Sequence, residues 1–340
     1  MTDLRWRLAD DDGGQGALFE QEAERHIGRG EFRGLEFLHV HARRVINEVP
    51  KASRMPFRWT INAYRGCSHA CVFCFARPTH EYLGMNAGED FDRKIVVKIN
   101  AVERVRAELA PGRWAGEHIA MGTNTDPYQR CEGRYRLTQG IVGELSAAAN
   151  PFSILTKSTL ILRDLDLLAE AARRTDVRAN FSIGTLDEDV WRMTEPGTPH
   201  PRRRIEAVAK LNAAGVPCGV LVAPILPGLS DAPEALEEVV RACVDAGAVS
   251  ITPLLLHLRA GVREHYLSWL AGARPDLLER YAGLYPRAYA PAKTQDDLAT
   301  TVRDLVARFG GRSAGPRQTR SARPHPPPAP PAVSQLQLGV

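Results

Sequence analysis

Three thiols stand within one short stretch, INAYRGCSHACVFCFARPTHEY, at Cys67, Cys71 and Cys74, and the next cysteine in the chain is Cys131. Three ligands at C-x3-C-x2-C spacing can wrap one face of an iron–sulfur cluster and leave a fourth iron without a protein ligand. Electron-transfer clusters and structural zinc sites take all their ligands from the protein, because an open position invites exchange or chemistry. A three-cysteine site of this kind therefore points to a metal centre that binds something. The same thiols could instead hold structural zinc, with His69 or His80 as fourth ligand. A disulfide plus one stray thiol would need an oxidising compartment, and nothing in the sequence implies one.

The run resembles the cluster loop of the radical S-adenosylmethionine enzymes, whose pattern C-x3-C-x-aromatic-C is met in full with Phe73 in the aromatic slot. The resemblance implies a [4Fe-4S] cluster held by Cys67, Cys71 and Cys74. It also implies S-adenosylmethionine chelated on the open iron, and one-electron cleavage to methionine and a 5′-deoxyadenosyl radical. The cofactors carry that chemistry, and the protein supplies position and protection. An external one-electron donor such as flavodoxin or ferredoxin is implied with it.

Further polar residues stand where strands are expected to end. Thr123, Asn124, Thr125 and Asp126 follow HIAMG, at the point where the family holds the amino group of the cofactor. The usual Gly-Gly-Glu is absent, so Asp126 or the Thr/Asn residues are the expected substitutes, against a plain capping and turn cluster. Lys157 ends FSILT and Ser182 lies within VRANFSIG. In the spore photoproduct lyase branch, which the chain resembles further, a lysine and a serine at comparable points contact the cofactor carboxylate. An ammonium aimed into such a pocket would pair well with a carboxylate. The backbone near Phe73 and the apolar strand ends API and LLL would line the adenine side. His257, polar in a buried run, is expected to find a partner or face the cavity. Cys131 is the candidate hydrogen-atom donor, by analogy with a cysteine outside the cluster loop in that branch.

Positioning these residues takes a repeated strand and helix. FRWTINAY (Phe57 to Tyr64), HIAMG, FSILT, VRANFSIG, PCGVLVAPI and the run from Val249 to Leu258 read as six buried strands. Helical periods are expected over Lys94 to Leu109, Tyr135 to Ala149, Leu160 to Arg173, Arg202 to Ala214, Ala232 to Ala246 and Arg263 to Ala271. Such alternation implies parallel βα units. The fold class is α/β, a partial (β/α)6 TIM-type barrel, with the chemistry at the C-terminal ends of the strands. Leu35 to Val49 reads as a strand-like start followed by a short helix. The expected division is a partly ordered segment 1–34, a core 35–285, a helical extension 286–310 and a Pro/Arg-rich disordered tail 311–340.

Composition narrows the partners. With 44 Lys+Arg against 40 Asp+Glu, the net charge of +4 does not by itself require a polyanion. No secretory signal and no run of roughly 20 apolar residues is present, so no membrane is expected and the compartment is read as cytoplasmic. Arg202-Arg203-Arg204 and the arginines at 312, 317, 320 and 323 could contact phosphate. Gln335-Leu336-Gln337-Leu338 vaguely resembles peptides that dock on the bacterial sliding clamp. The expected function is hydrogen abstraction from an unknown substrate, DNA or a nucleotide-like molecule by analogy, with lyase-like chemistry. The alternative from another class is a zinc- or iron–sulfur-stabilised nucleic-acid or protein binding module.

Overall fold

The computed structural model describes residues 23–313 except 51, 52 and 54. Residues 317, 320 and 323, the run 335–338, and most of the expected tail lie outside the described residues.

Among the described residues eleven strands form two sheets. The larger contains β3 (Ile46–Glu48), β4 (Trp59–Ile61), β7 (Ile119–Met121), β8 (Phe152–Thr156), β9 (Val177–Ser182), β10 (Cys218–Ile225) and β11 (Ile251–Leu255). Its order is β11-β10-β9-β8-β7-β4-β3. The six strands from β4 to β11 are parallel, and β3 pairs antiparallel on the β4 edge. These are the six strands expected from the sequence. They read as apolar runs because parallel strands are covered on both faces. Phe152, Ile154, Ala179, Phe181, Val220 and Val222 are all buried. Helices Leu137–Ala147, Leu165–Arg174, Pro201–Ala213 and Pro233–Asp245 supply the crossovers, with Pro at the first turn of the last two, where a missing N–H costs nothing.

A second sheet, ordered β1-β2-β6-β5, is built from β1 (Glu24–Ile27), β2 (Glu36–Val40), β5 (Tyr64–Arg65) and β6 (Lys94–Lys98). It corrects two expectations. Leu35 to Val49 holds no helix: it forms β2 and then β3, and Glu108 accepts from the Val45 and Ile46 N–H groups at 2.9 and 3.0 Å to hold the turn into β3. The helical period over Lys94 to Leu109 is in fact β6 followed by the helix Ala101–Glu108. The β-branched run Ile95-Val96-Val97 favours a strand, and pairing with β2 and β5 decides it.

The expected first strand, Phe57 to Tyr64, is divided between the sheets. After β4 the chain leaves the barrel sheet, pairs as β5 with β6, and turns at Gly66 (φ 78°) into Cys67. A Cβ at Gly66 would lie 2.8 Å from the Lys94 carbonyl oxygen and 2.9 Å from that of Phe91. The cysteine loop thus starts where the two sheets meet.

Beyond β11, the helices Val262–Ala273, Leu278–Leu284 and Ala292–Arg308 complete the described chain. Cys71, Val72 and Phe73 pack with Leu226, Leu256 and Leu258 from the ends of β10 and β11, and with Val262, Tyr266, Tyr281 and Tyr285. The loop from the first parallel strand therefore reaches the end of the last one, and the open sheet curls around the space between them. No helix among the described residues is long and apolar enough to cross a membrane.

Candidate active site

Cys67 and Cys71 are buried and Cys74 is half-buried. Ala70 in the left-handed region (φ 52°) lets the chain double back between the first two thiols, and the Cys74 N–H donates to the Cys71 carbonyl at 3.2 Å. Burial pushes all three thiols above their ordinary pKa, with Asp126 adding to it at Cys67 and Glu195 at Cys71. Thiols held this way ionise only when a cation sits among them, as metal binding supplies. Three clustered thiols are a donor set that fits an iron–sulfur cluster. His69 Nδ1 lies 3.4 Å from Asp126 Oδ2, and His80 Nε2 is 2.9 Å from the Lys94 carbonyl while its Nδ1 is buried without a hydrogen-bond partner.

Three supports hold this loop, and sequence reasoning missed all of them. Arg77, 1 % exposed, donates from Nε and Nη2 to the Cys71 carbonyl at 3.1 and 2.9 Å. The same guanidinium reaches the Ala87 and Gly88 carbonyls and both oxygens of Asp92. Gln129, fully buried, donates to the Gly66 carbonyl and the Thr125 hydroxyl and accepts from the Ser68 N–H. The turn after the helix Glu188–Thr194 covers the loop, with Val72 N donating to the Thr194 carbonyl and Gly197 N to the His69 carbonyl, both at 3.0 Å. A Cβ at Gly197 would stand 2.2 Å from the Ser68 carbonyl oxygen, so only glycine fits.

The polar strand ends divide into groups that brace the loop and groups that face the space beside it. Thr125 is buried and donates to the Gly66 carbonyl at 2.7 Å. Asp126 accepts from Tyr128 N, Thr156 Oγ1 and Lys157 N at 2.7 to 2.9 Å. Burial would raise its pKa, but His69 and these hydrogen bonds outweigh it and the net shift is downward. Asp126 thus ties the ends of β7 and β8 to the cysteine loop, and its lone pairs are taken by the chain itself. Thr123 and Asn124 are held by Asn62, and the Asn124 side chain is exposed.

Lys157 and Ser182 come together as the sequence suggests: Lys157 Nζ donates to Ser182 Oγ at 2.8 Å and lies 5.4 Å from the centre of the Phe73 ring. The same ammonium pairs with Glu195 Oε1 at 2.6 Å, and Glu195 Oε2 pairs with buried Arg204 at 2.6 Å. Burial disfavours the Glu195 carboxylate, but Arg204 and Lys157 overcome it and pull its pKa down to about 2. Two cations against one anion leave a net positive charge beside the thiols, suited to an anionic ligand group. Glu195 sits in a Thr-Glu-Pro-Gly turn with no periodicity to mark it.

Two other residues fall differently. Cys131 is 0 % exposed and packs in the main core with Tyr64, Phe37 and Tyr128. Its thiol is enclosed in that core. Lys98 was expected on a helix; it is a buried strand residue whose Nζ donates to the Asn62 carbonyl at 2.8 Å. Burial, with Arg65 nearby, brings its pKa down to about 7.

Comparison with known proteins gives the following. A family model described as the radical SAM superfamily matches residues 61–243. An uncharacterised protein of Mycobacterium tuberculosis is 44 % identical over 316 residues, covering 92 % of this chain and 93 % of that one. A radical SAM Nalpha-GlyT isomerase of Pseudomonas phage M6 is 25 % identical over 164 residues, 48 % of this chain and 32 % of the isomerase. Among solved structures, spore photoproduct lyase complexed with dinucleoside spore photoproduct is similar with a TM-score of 0.59 at 19 % identity, covering 80 % of this chain and 79 % of the lyase. That likeness speaks to the fold.

Proposed function

The chain belongs to the radical SAM superfamily, and on that premise we propose that it is an enzyme that uses Cys67, Cys71 and Cys74 to hold a [4Fe-4S] cluster. Members of the superfamily use such a cluster with S-adenosylmethionine. Bound together, the two supply one-electron cleavage of the sulfonium to methionine and a 5′-deoxyadenosyl radical, which abstracts hydrogen from a substrate.

The protein's own share is positional. Arg77, Gln129 and the Thr194 to Gly197 turn fix the cysteine loop against the strand ends. Lys157, oriented by Ser182 and Glu195, offers an ammonium to the carboxylate of S-adenosylmethionine. Thr123 and Asn124 border the position for its amino group, whereas Asp126 acts through the loop it braces. Phe73 and the apolar ends of β10 and β11 exclude water from the side where the radical would form.

The observation that carries this reading is the set of three clustered thiols, two buried and one half-buried, beside the Lys157–Glu195–Arg204 charge network. For the substrate we infer DNA or a nucleotide-related molecule, supported by what the similar lyase is complexed with. The electron would come from an external donor such as flavodoxin or ferredoxin. The test is anaerobic reconstitution followed by incubation with dithionite and S-adenosylmethionine. Formation of 5′-deoxyadenosine is expected, together with absorbance near about 400 nm and about four irons per chain. A protein that binds no iron, or that binds it and forms no 5′-deoxyadenosine, overturns the reading.

A further inference from the structure

Three aromatic rings from three distant parts of the chain meet beside the cysteine loop, the first tilted by 36° against the second and the second stacked on the third. Phe75, directly after Cys74, lies 6.1 Å from His257, which follows β11; His257 stacks on Tyr289 at 5.5 Å and 20°. His257 and Tyr289 face each other across a one-residue antiparallel pairing, and the Leu258 N–H donates to the Ala288 carbonyl at 2.7 Å. Backbone pairing therefore sets the His257 and Tyr289 side chains opposite each other. Yet the column's outer rings are open: Phe75 is 41 % and Tyr289 44 % exposed. Large aromatic side chains left in water at the rim of a site are where a flat ligand ring can stack.

The charges around the column are as unusual as the rings. Arg259 donates twice to the Tyr289 hydroxyl, at 3.1 and 2.6 Å, and lies 5.8 Å from the centre of that ring. Arg263 donates to the Tyr285 and Arg287 carbonyls. Among the described residues none of Arg259, Arg263 and Arg287 pairs with a carboxylate, whereas the nearby Arg274 and Arg280 both do. The nearby Glu264 spends a carboxylate oxygen on the Gly261 N–H. Burial and Arg259 both lower the His257 pKa, which keeps that ring neutral and free to stack.

We propose that the Phe75–His257–Tyr289 column is a stacking platform for bases of single-stranded nucleic acid, with Arg259, Arg263 and Arg287 on its phosphates. Aromatic faces with uncompensated arginines are the two elements of single-strand binding: stacking is worth roughly 1–3 kcal/mol per base, and cations track the backbone. The inference deepens the substrate class proposed above and takes the radical site only as the reason for its place. Because Phe75 adjoins Cys74, a base stacked on its outer face is delivered next to the cysteine loop.

The test uses the reconstituted full chain and a fluorescein-labelled twelve-nucleotide oligothymidylate, with the matching oligouridylate and a duplex as further arms, read by anisotropy at several salt concentrations. Single strands are expected to bind more tightly than the duplex. Tyr289→Leu should weaken binding about tenfold, and Tyr289→Phe should keep it, since the ring is retained. Arg259→Gln should flatten the log–log salt slope by about 0.7, the value of one lost phosphate contact on a single strand. No binding, a preference for duplex, or equal affinity of Tyr289→Leu and the parent protein overturns the platform. So does a loss confined to S-adenosylmethionine affinity in Tyr289→Leu, which would assign the column to that cofactor's adenine. If oligonucleotide binding behaves as expected while the parent protein forms no 5′-deoxyadenosine, the radical reading fails and the platform stands.

Discussion

Lys157 Nζ sits 2.6 Å from Glu195 Oε1, with the two side chains only 13 % and 5 % exposed, at the end of the third parallel strand. The ammonium is thereby aimed before any ligand arrives. Preorganised charge of this kind needs no rearrangement when a carboxylate binds.

Removing the anion of this network leaves Lys157 and Arg204 buried with like charge. Glu195→Gln is expected to lower stability by about 3–5 kcal/mol, as breaking a buried pair does. The effect has a pH signature. Because the folded pKa of Glu195 lies at about 2, below the unfolded value, its contribution is fully present above the unfolded pKa and is lost as pH falls toward 2. Urea denaturation of both proteins should show their difference shrinking between about pH 5 and pH 3.

Lys98 predicts the same direction of pH dependence in a higher window. With its folded pKa at about 7, below that of the unfolded chain, charging it in the folded protein costs stability that is recovered as pH rises above 7. Lys98→Met is expected to gain on the parent protein at pH 6 relative to pH 9. Denaturation midpoints that differ by the same amount at both pH values would contradict this.

The ligand assignment separates the cysteines. Alanine at Cys67, Cys71 or Cys74 should abolish the roughly 400 nm absorbance and 5′-deoxyadenosine formation. Cys131→Ala should keep both and lose on the order of 1 kcal/mol through the cavity it leaves in the core. Iron analysis and thermal denaturation distinguish the two outcomes.

Arg77→Lys tests the support of the loop. A lysine cannot reproduce a fork that contacts the Cys71, Ala87 and Gly88 carbonyls and Asp92 at once. Iron incorporation should fall severalfold even though no thiol is touched. Gly197→Ala should do the same through its clash with Ser68.

Lys157→Met removes the proposed carboxylate partner. Affinity for S-adenosylmethionine is expected to drop about tenfold or more, the weight of a charged hydrogen bond. Calorimetry on the anaerobic protein measures it.

The spacing of Cys67, Cys71 and Cys74, the aromatic Phe73 and the six apolar strands are written locally, so the sequence by itself determined the clustering of the three thiols and the parallel sheet, whereas the bond between Lys157 and Ser182 needed neighbouring strands to bring them together. Local signals failed where partners come from elsewhere. Lys94–Lys98 is a strand because β2 and β5 flank it, and Cys131, plausible as a reactive thiol in a linear motif, is enclosed in the main core. Glu195, Arg77 and Gln129 are single polar residues in turns or short helices, whose meaning lies in the distant groups they meet. The Phe75–His257 contact also depends on tertiary structure: only the curl of the sheet brings the loop after its first parallel strand to the end of its last.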